Sequence, residues 1–324
     1  MKNALMPAVL AGAMLVNFAP GVAAQEWQPT KPIRMVIPST PGGGTDFIGR
    51  TLSARLSEVP GWRVVPENRP GAAGTLGLAE AARAQPDGYE LVIGQTANVA
   101  LAPWLMKLTF DPVKDLTPIA FAVEAPMVLL VNASSPYKTW AELATAAKAS
   151  GKPVSFATSG TGSVAHVAGV MLQNTAGIKL QHVPYKGSSP AIADLMGGHV
   201  DLAGTSVASA ISLVQSGKVR ALAVTSQKRS QVLPNVPALA ELGYPNFHQV
   251  EWYGVFAPPN LPPAIAERLN KEINRVLQDP DVRNTIVVQG QEPRTETRAA
   301  FGALVRNDST KAKEIVSQAG IKLE

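Results

Sequence analysis

Short β-branched apolar runs alternate along the chain with stretches whose apolar residues recur at helical spacing. Ile33 to Ile37 reads as a strand, and Thr45 to Glu58 then places Ile48, Leu52 and Leu56 at i, i+4 and i+8 on one helix face. Arg63 to Val65 reads as a short strand. The glycine-rich turn Arg69–Gly77 leads into a helix that stops near the turn signal Pro86–Tyr89, and Glu90 to Ile93 is again a strand. This strand–helix order predicts a mainly parallel sheet covered by helices.

A second series starts near Ala125. Its strands are Met127–Val131, Val154–Ala157, the segment within Lys179–Gly187, Val200–Ala203 and Val219–Val224. Its helices are Thr139–Ala149, Ser163–Asn174, Pro190–Met196 and Ala208–Gln215. Glu251 to Pro259 reads as a return crossing, with Trp252 expected to pack it and Tyr253 to pack or to line a pocket. The rest is helical: Ala264–Leu277, Pro280–Val288 and Arg298–Gln318.

Two strand–helix junctions share one device. The first is the loop "TPGGG" before Thr45, and the second is "SGTG" before Ser163. A helix N-terminus leaves N–H groups unpaired and partially positive. Glycines let a ligand approach that backbone, and Thr45 and Ser163 are hydroxyl residues suited to capping. The product is an anion site of main chain and hydroxyls, at the carboxyl ends of strands where open α/β sheets bind ligands. Two such loops facing each other would hold both ends of a dianion. Each terminus is worth at most about 2 kcal/mol, and micromolar affinity needs about 8 kcal/mol, so closure and exclusion of water must supply much of the binding.

Composition narrows the reading. Apolar residues make up 46% and charged residues 16% of 324, which suits a globular chain with a large core and two domains. Aromatics are only 6%, against a base-stacking nucleic-acid surface, and the net charge of +5 is scattered singly rather than in runs. The first residues, with Lys2, an apolar stretch broken by Pro7, Asn17 and Pro20, and the small residues Val22-Ala23-Ala24, have the form of a secretory leader cleaved after Ala24. No later segment reads as a membrane span. Cysteine is absent, which removes disulfides, thiolate nucleophiles, cysteine metal sites and a lipid-anchored N-terminus, and points to a soluble periplasmic protein.

Catalytic and nucleotide readings find little support. Neither loop is a P-loop, since no lysine follows the glycines, and neither has dinucleotide-fingerprint spacing. His166, His182, His199 and His248 are dispersed and match no metal motif, so neither a metal nor a cofactor is expected. Ser163 and His166 share one helix, but Ser163 matches no nucleophile motif. His166 reads either as an anion donor or as a structural side chain. Asp46 in the first helical turn is expected to turn back and hold loop N–H groups rather than face an anion.

Taken together, "KPIRMVIPSTPGGGTDFIGR", "VVPENRPGAAGTLG", "PDGYELVIG", "FDPVKDLTPIA", "TSGTGSVAHVAG", "HVPYKGSSPAIADLMGGHVDL", "GKVRALAVTS", "LPNVPALAELGYPNF", "WYGVFAPPNLP" and "AGIKLE" resemble the Bug-type extracytoplasmic solute receptors, the binding proteins of tripartite tricarboxylate transporters. The resemblance spans nearly the whole mature chain. It implies an α/β, two-lobed periplasmic-binding-protein (Venus flytrap) fold, each lobe a mainly parallel sheet flanked by helices. It implies residues 1–24 as signal peptide, 25–124 plus 251–324 as a discontinuous lobe 1, and 125–250 as lobe 2. It further implies a monomer that is not an enzyme and binds a small carboxylate, di-, tri- or aromatic. That ligand would pass to the permease subunits of the transporter, with no nucleic acid as partner. Carried over by position, the ligand site is Ser39, Thr40, Gly43, Gly44, Thr45, Asp46, Thr96 and Asn98, faced by Ser159, Gly160, Thr161, Gly162, Ser163, His166, Tyr185, Gly204 and Thr205.

The chain departs from that family's pattern at three places. Ser39 and Thr40 replace an aromatic and a proline, Gly204 and Thr205 replace Phe-Asp, and Val170 replaces a frequent acid. These changes predict a roomier, less acidic pocket and a ligand larger than aspartate. A receptor that signals to a membrane sensor kinase is the competing reading, since the same flytrap serves both.

Overall fold

The computed structural model of the chain describes residues 26–319; the leader and its cleavage site lie outside them, as does nearly all of "AGIKLE". In chain order the elements are β1 (Ile33–Ile37), α1 (Gly44–Leu56), β2 (Val64–Asn68), α2 (Thr75–Ala82), β3 (Glu90–Gln95), a π-helical turn over Thr96–Leu101 that runs into α3 (Ala102–Leu105), and β4 (Thr117–Asn132). There follow α4 (Trp140–Ser150), β5 (Val154–Thr158), α5 (Val164–Ala176), β6 (Leu180–Pro184), α6 (Ser188–Met196), β7 (Leu202–Ser206), α7 (Val207–Gln215) and β8 (Val219–Val224). The chain closes with β9 (Val250–Ala257), α8 (Pro263–Gln278), α9 (Pro280–Val287), β10 (Glu292–Pro293) and α10 (Arg298–Ala319).

The strands pair in the order β2-β1-β3-β9-β4-β7-β5-β6, with β8 and β10 also on β4. β1, β2 and β3 run parallel, and β5 is parallel to β6 and β7. β4 joins the two groups: Thr117–Pro126 pairs antiparallel with β9, while Met127–Asn132 pairs with β7 and β8. Helices cover both faces. Ile48, Leu52 and Leu56 of α1 pack with Leu269 and Ile273 of α8 on one face of the β1–β3 group, and Leu78, Phe301 and Val305 cover the other. In the second group, α6 and α7 cover one face and α4 and α5 the other.

Two differences from the sequence reading bear on function. The strand expected at Met127–Val131 begins ten residues earlier, at Thr117. Pro118 and Pro126 both sit in this strand, and its pairing with β9 shifts register next to Pro118 and next to Phe121. A strand buried on both faces shows a continuous apolar run rather than alternation, so its start carries no periodic signal. The segment after β3, expected to be a loop, is helical from Thr96 to Leu105.

The chain passes between the two groups through β4 and back through the segment joining β8 to β9. Thr225 fastens these crossings together. Its hydroxyl accepts the Met127 N–H at 3.1 Å and donates to the Gln249 carbonyl at 2.6 Å. Its backbone N–H also reaches the Met127 carbonyl at 3.0 Å, and the residue has no solvent exposure. Thr225→Val keeps the shape but strands a buried donor and a buried acceptor. It is expected to cost about 1–3 kcal/mol in denaturant unfolding, against less than about 0.5 kcal/mol for a surface change such as Ser216→Ala.

Candidate functional site

The carboxyl ends of β1 and β3 open onto the same side as that of β7. The space between them is a cleft of about 600 Å³, lined by Gly43, Gly44, Asp46, Arg50 and Ala125 on one side and Ser206, Ala208 and Ser209 on the other, with Tyr253 and Gln291 between.

On the first side the apolar strand β1 ends at Ile37, and Pro38 turns the chain into the exposed loop Thr40–Gly43. The cap of α1 is Gly43, with no side-chain hydrogen bond, so Thr45 is not the cap expected from the sequence. Its hydroxyl instead donates to Gln95 Oε1 and ties α1 to β3. The first intrahelical bond runs from Phe47 N–H to the Gly43 carbonyl at 2.9 Å. The N–H groups of Gly44, Thr45 and Asp46 therefore have no helical acceptor, as at any helix start. Asp46 turns back on its own loop. It accepts from Gly42 N–H at 2.9 Å, Asn68 Nδ2 at 2.9 Å and Arg50 Nε at 2.9 Å. Burial alone would raise this carboxyl, but the Gly42, Asn68 and Arg50 contacts outweigh it and hold it below the ordinary aspartate range. The arrangement neutralises Asp46 while the N–H groups remain available.

On the second side β7 runs straight into α7. Ser206 caps that helix, accepting Ser209 N–H at 3.3 Å, and the two hydroxyls lie 2.8 Å apart. Tyr253 and Gln291 close the floor. A Cβ on Gly44 would fall 2.9 Å from the Tyr253 hydroxyl and 3.2 Å from Gln291 Nε2, so only glycine leaves the helix start open beneath them. The two sides already touch at one edge. Gly290 has φ +72°, and a Cβ there would meet Val207 Cγ1 at 3.0 Å and Ala208 N at 3.1 Å.

The other expected site residues fall as follows. The Ser39 hydroxyl is buried without a partner, and its carbonyl accepts Asn68 Nδ2 at 3.0 Å. Thr96 is 2% exposed, and its hydroxyl accepts Trp252 N–H at 2.9 Å; Asn98 is 1% exposed and accepts Gln95 N–H at 2.9 Å. Both side chains thus brace the wall behind Tyr253. The Ser159–Ser163 loop is the end of β5, beside β7, and its residues are not among those lining the cleft. Ser163 caps α5, accepting His166 N–H at 3.2 Å. His166 Nδ1 accepts Gly162 N–H at 3.1 Å, and its ring stacks on His182 at 3.6 Å. Burial, then the neighbouring His182, pushes His166 down to about 4, so it is neutral and shapes its loop. Gly160 turns the same loop with its carbonyl on Ser163 N–H, and Thr161 is exposed. The Tyr185 hydroxyl donates to Asp194 at 2.6 Å, within its own half.

The expected extra room at Gly204 is corrected. A Cβ there would lie 2.6 Å from Phe156 Cζ, so the missing side chain is filled from the core rather than opened to the cleft. Thr205 is 1% exposed with its hydroxyl unpartnered, and Val170 packs against the apolar cluster between α5 and α10. Trp252 is a packing residue as expected, 1% exposed, with Nε1 donating to Asp308 at 2.8 Å. Ser206, Ser209 and Gln291 were not singled out from the sequence. The signal for the serines is present in "TSVAS" (Thr205–Ser209), a strand end followed by a hydroxyl cap, the same device as at Ser163.

With this geometry in view, residues 48–321 match the family described as the tripartite tricarboxylate transporter family receptor. The chain is 34% identical to Protein BugT of Bordetella pertussis over 309 residues, covering 94% of this chain and 95% of that protein. Among solved structures it is similar to R. palustris Rpa4515 with adipate, at 30% identity and TM-score 0.76, covering 91% of this chain and 99% of that one. It is also similar to MatC from Rhodopseudomonas palustris with bound malate, at 32% identity and TM-score 0.72, covering 89% and 99%. These matches carry the periplasmic-binding-protein fold along the chain, and they are to solute-binding proteins rather than enzymes. The chain belongs to the Bug-type receptor family of tripartite tricarboxylate transporters.

Proposed function

We propose that this chain is a periplasmic receptor that grips a small dicarboxylate across the cleft between α1 and α7 and delivers it to a membrane permease. The observation that carries the reading is the pair of helix N-termini, at Gly43–Asp46 and at Ser206–Ser209, lining one cleft of about 600 Å³. Each supplies unpaired N–H groups and positive dipole, and Arg50 at the rim balances the charge of Asp46. Neither α7 nor Tyr253 and Gln291 introduces a negative charge. Similarity to proteins with bound adipate and bound malate supports a dicarboxylate. Cleavage after Ala24 would release the mature chain on the far side of the inner membrane.

In this reading the first carboxylate sits on the Gly43–Thr45 loop and the second on the α7 start, with the halves 25–124 plus 251–324 and 125–250 closing about the Thr225 clasp. Ligand prefers the closed form and shifts the population towards it, and the permease reads that form. Asp46, Thr96 and Asn98 support the site rather than touch the ligand.

Thermal unfolding from Gln25 onward, against malate, adipate, citrate, an aromatic acid and phosphate, tests the class. A true ligand at about 100 times its dissociation constant stabilises by about 2.7 kcal/mol and raises the melting temperature by several degrees. A shift with phosphate and none with any carboxylate sinks the reading. The second subsite is tested separately. Ser206→Ala and Ser163→Ala should each cost about 1 kcal/mol as lost caps, but only Ser206→Ala should weaken carboxylate binding, by about 5- to 10-fold. Weakening by Ser163→Ala alone would move the second carboxylate to α5.

A further inference from the structure

The floor of the cleft is supplied by two strands that share one neighbour. Tyr253 of β9 pairs with Val123 on one edge of β4, and Pro293 of β10 pairs with the same Val123 on the other edge. Gln291 stands two residues before Pro293, and its backbone is tied down. Its N–H reaches the Ile286 carbonyl at 3.4 Å, and the Gly290 N–H reaches the Val287 carbonyl at 2.8 Å. Both side chains are thus placed by the register of β4 and not by a free loop, which is how a binding group is held in position before its ligand arrives.

Tyr253 and Gln291 both line the cleft, and both are more than nine-tenths buried, at 9% and 4% exposure. Their polar ends converge on the first residue of α1. Tyr253 Oη and Gln291 Nε2 lie 2.9 and 3.2 Å from where a Cβ of Gly44 would stand. No hydrogen bond among the described residues engages either atom, and Thr45, the hydroxyl residue next to Gly44, is spent on Gln95. Buried polar groups are as a rule hydrogen-bonded, so two unengaged donors at an open helix start call for a partner that the chain does not supply.

Both groups are also neutral. Burial first, then the Glu251 carboxyl behind it, raises the Tyr253 phenol well above the ordinary tyrosine range, so it keeps its proton. An amide carries no charge. The charged side chains on the lining are Asp46 and Arg50, which pair with each other at 2.9 Å.

We propose that Tyr253 and Gln291 are specificity-determining residues of the cleft, a pair of neutral donors that clamp from the floor the carboxylate seated on the α1 start. The inference rests on the dicarboxylate reading above. The N–H groups of Gly44, Thr45 and Asp46 meet that carboxylate from the helix end. A carboxylate offers about four acceptor positions on its two oxygens, which leaves room for the Tyr253 O–H and a Gln291 N–H. Two fixed donors from a second direction set where this carboxylate lies and how it is turned, and a few placed polar groups of this kind are what orient a ligand in a cleft. They also fix the point from which the rest of the ligand must reach α7.

The test is calorimetric titration of adipate into the wild-type receptor, Tyr253→Phe and Gln291→Met. Phenylalanine keeps the ring and removes only the oxygen, and methionine keeps an unbranched chain of similar length. Each variant should bind adipate about 10- to 100-fold more weakly, as expected for losing a hydrogen bond to a charged group. Thermal unfolding separates this from a packing role. The Tyr253 hydroxyl has no partner within the chain to lose, so the unliganded Tyr253→Phe receptor should melt at the wild-type temperature. Unchanged affinity in either variant overturns the clamp and leaves the dicarboxylate reading standing. Weaker binding by Tyr253→Phe together with a fall of several degrees in its unliganded melt assigns the loss to packing and also overturns the clamp. Absence of adipate binding to the wild-type receptor overturns the dicarboxylate reading, and the clamp with it.

Discussion

A single sixteen-residue strand, β4, carries the chain from one half of the molecule into the other, and the antiparallel ladder between β4 and β9 is what the site depends on. The pairing of Glu251 with Ala125 and of Tyr253 with Val123 brings the tyrosine hydroxyl over Gly44. The same strand, a few residues further on, holds β7 in register through Val128 and Thr205, and so sets where Ser206 and α7 begin. A slip of one residue in either ladder would turn Tyr253 or Ser206 to the opposite face, since side chains alternate along a strand. The cleft is therefore a consequence of register before it is a collection of polar groups.

The continuity of β4 also limits how the halves can move. At the level of Pro126 and Met127 the partners of β4 change from β9 to β7 and β8. Thr225 lies at that level and binds both Met127 and Gln249. Apolar contacts reinforce it from outside: Ala312 and Val316 of α10 pack with Val164 and Val167 of α5 and with Leu101 and Leu105. The junction thus has a small polar clasp and an apolar strap, and the two sides of the cleft also meet where Gly290 approaches Val207 and Ala208.

Electrostatics inside the cleft follow from which charges are balanced. Asp46 is drawn down by three donors and leaves the helix N-terminus positive. Glu251 has one backbone donor and a sealed, unpaired oxygen. The two carboxyls shift in opposite directions, Glu251 upward through burial and Asp46 downward through its donors. The stacked His166–His182 pair, neutral and bound to the loop backbone and Thr158, adds shape without charge to the neighbouring strand end.

Much of this was legible in the sequence. Local periodicity placed α1, α5, α8 and α10 close to their observed ranges, because a helix face records its own burial. The glycine loop before α1 and the cap at Ser163 were readable for the same reason: both are interactions within a few residues. The family resemblance was carried by motifs along the whole chain. The first half of β4 was not legible, since burial on both faces erases alternation, and Thr225 read as an ordinary strand end. Gly204 misled, because an absent side chain says nothing about which neighbour fills its place, and here it is Phe156. By itself, then, the sequence determined most of the helices and strands, the absence of thiol chemistry and the presence of helix starts fit for anions. Only the tertiary structure decided which helix start faces Gly43, and that Glu251 holds Ala97 N–H while its Oε1 is left without a partner. Both depend on strand order and register between residues more than a hundred positions apart, and no local pattern encodes such pairing.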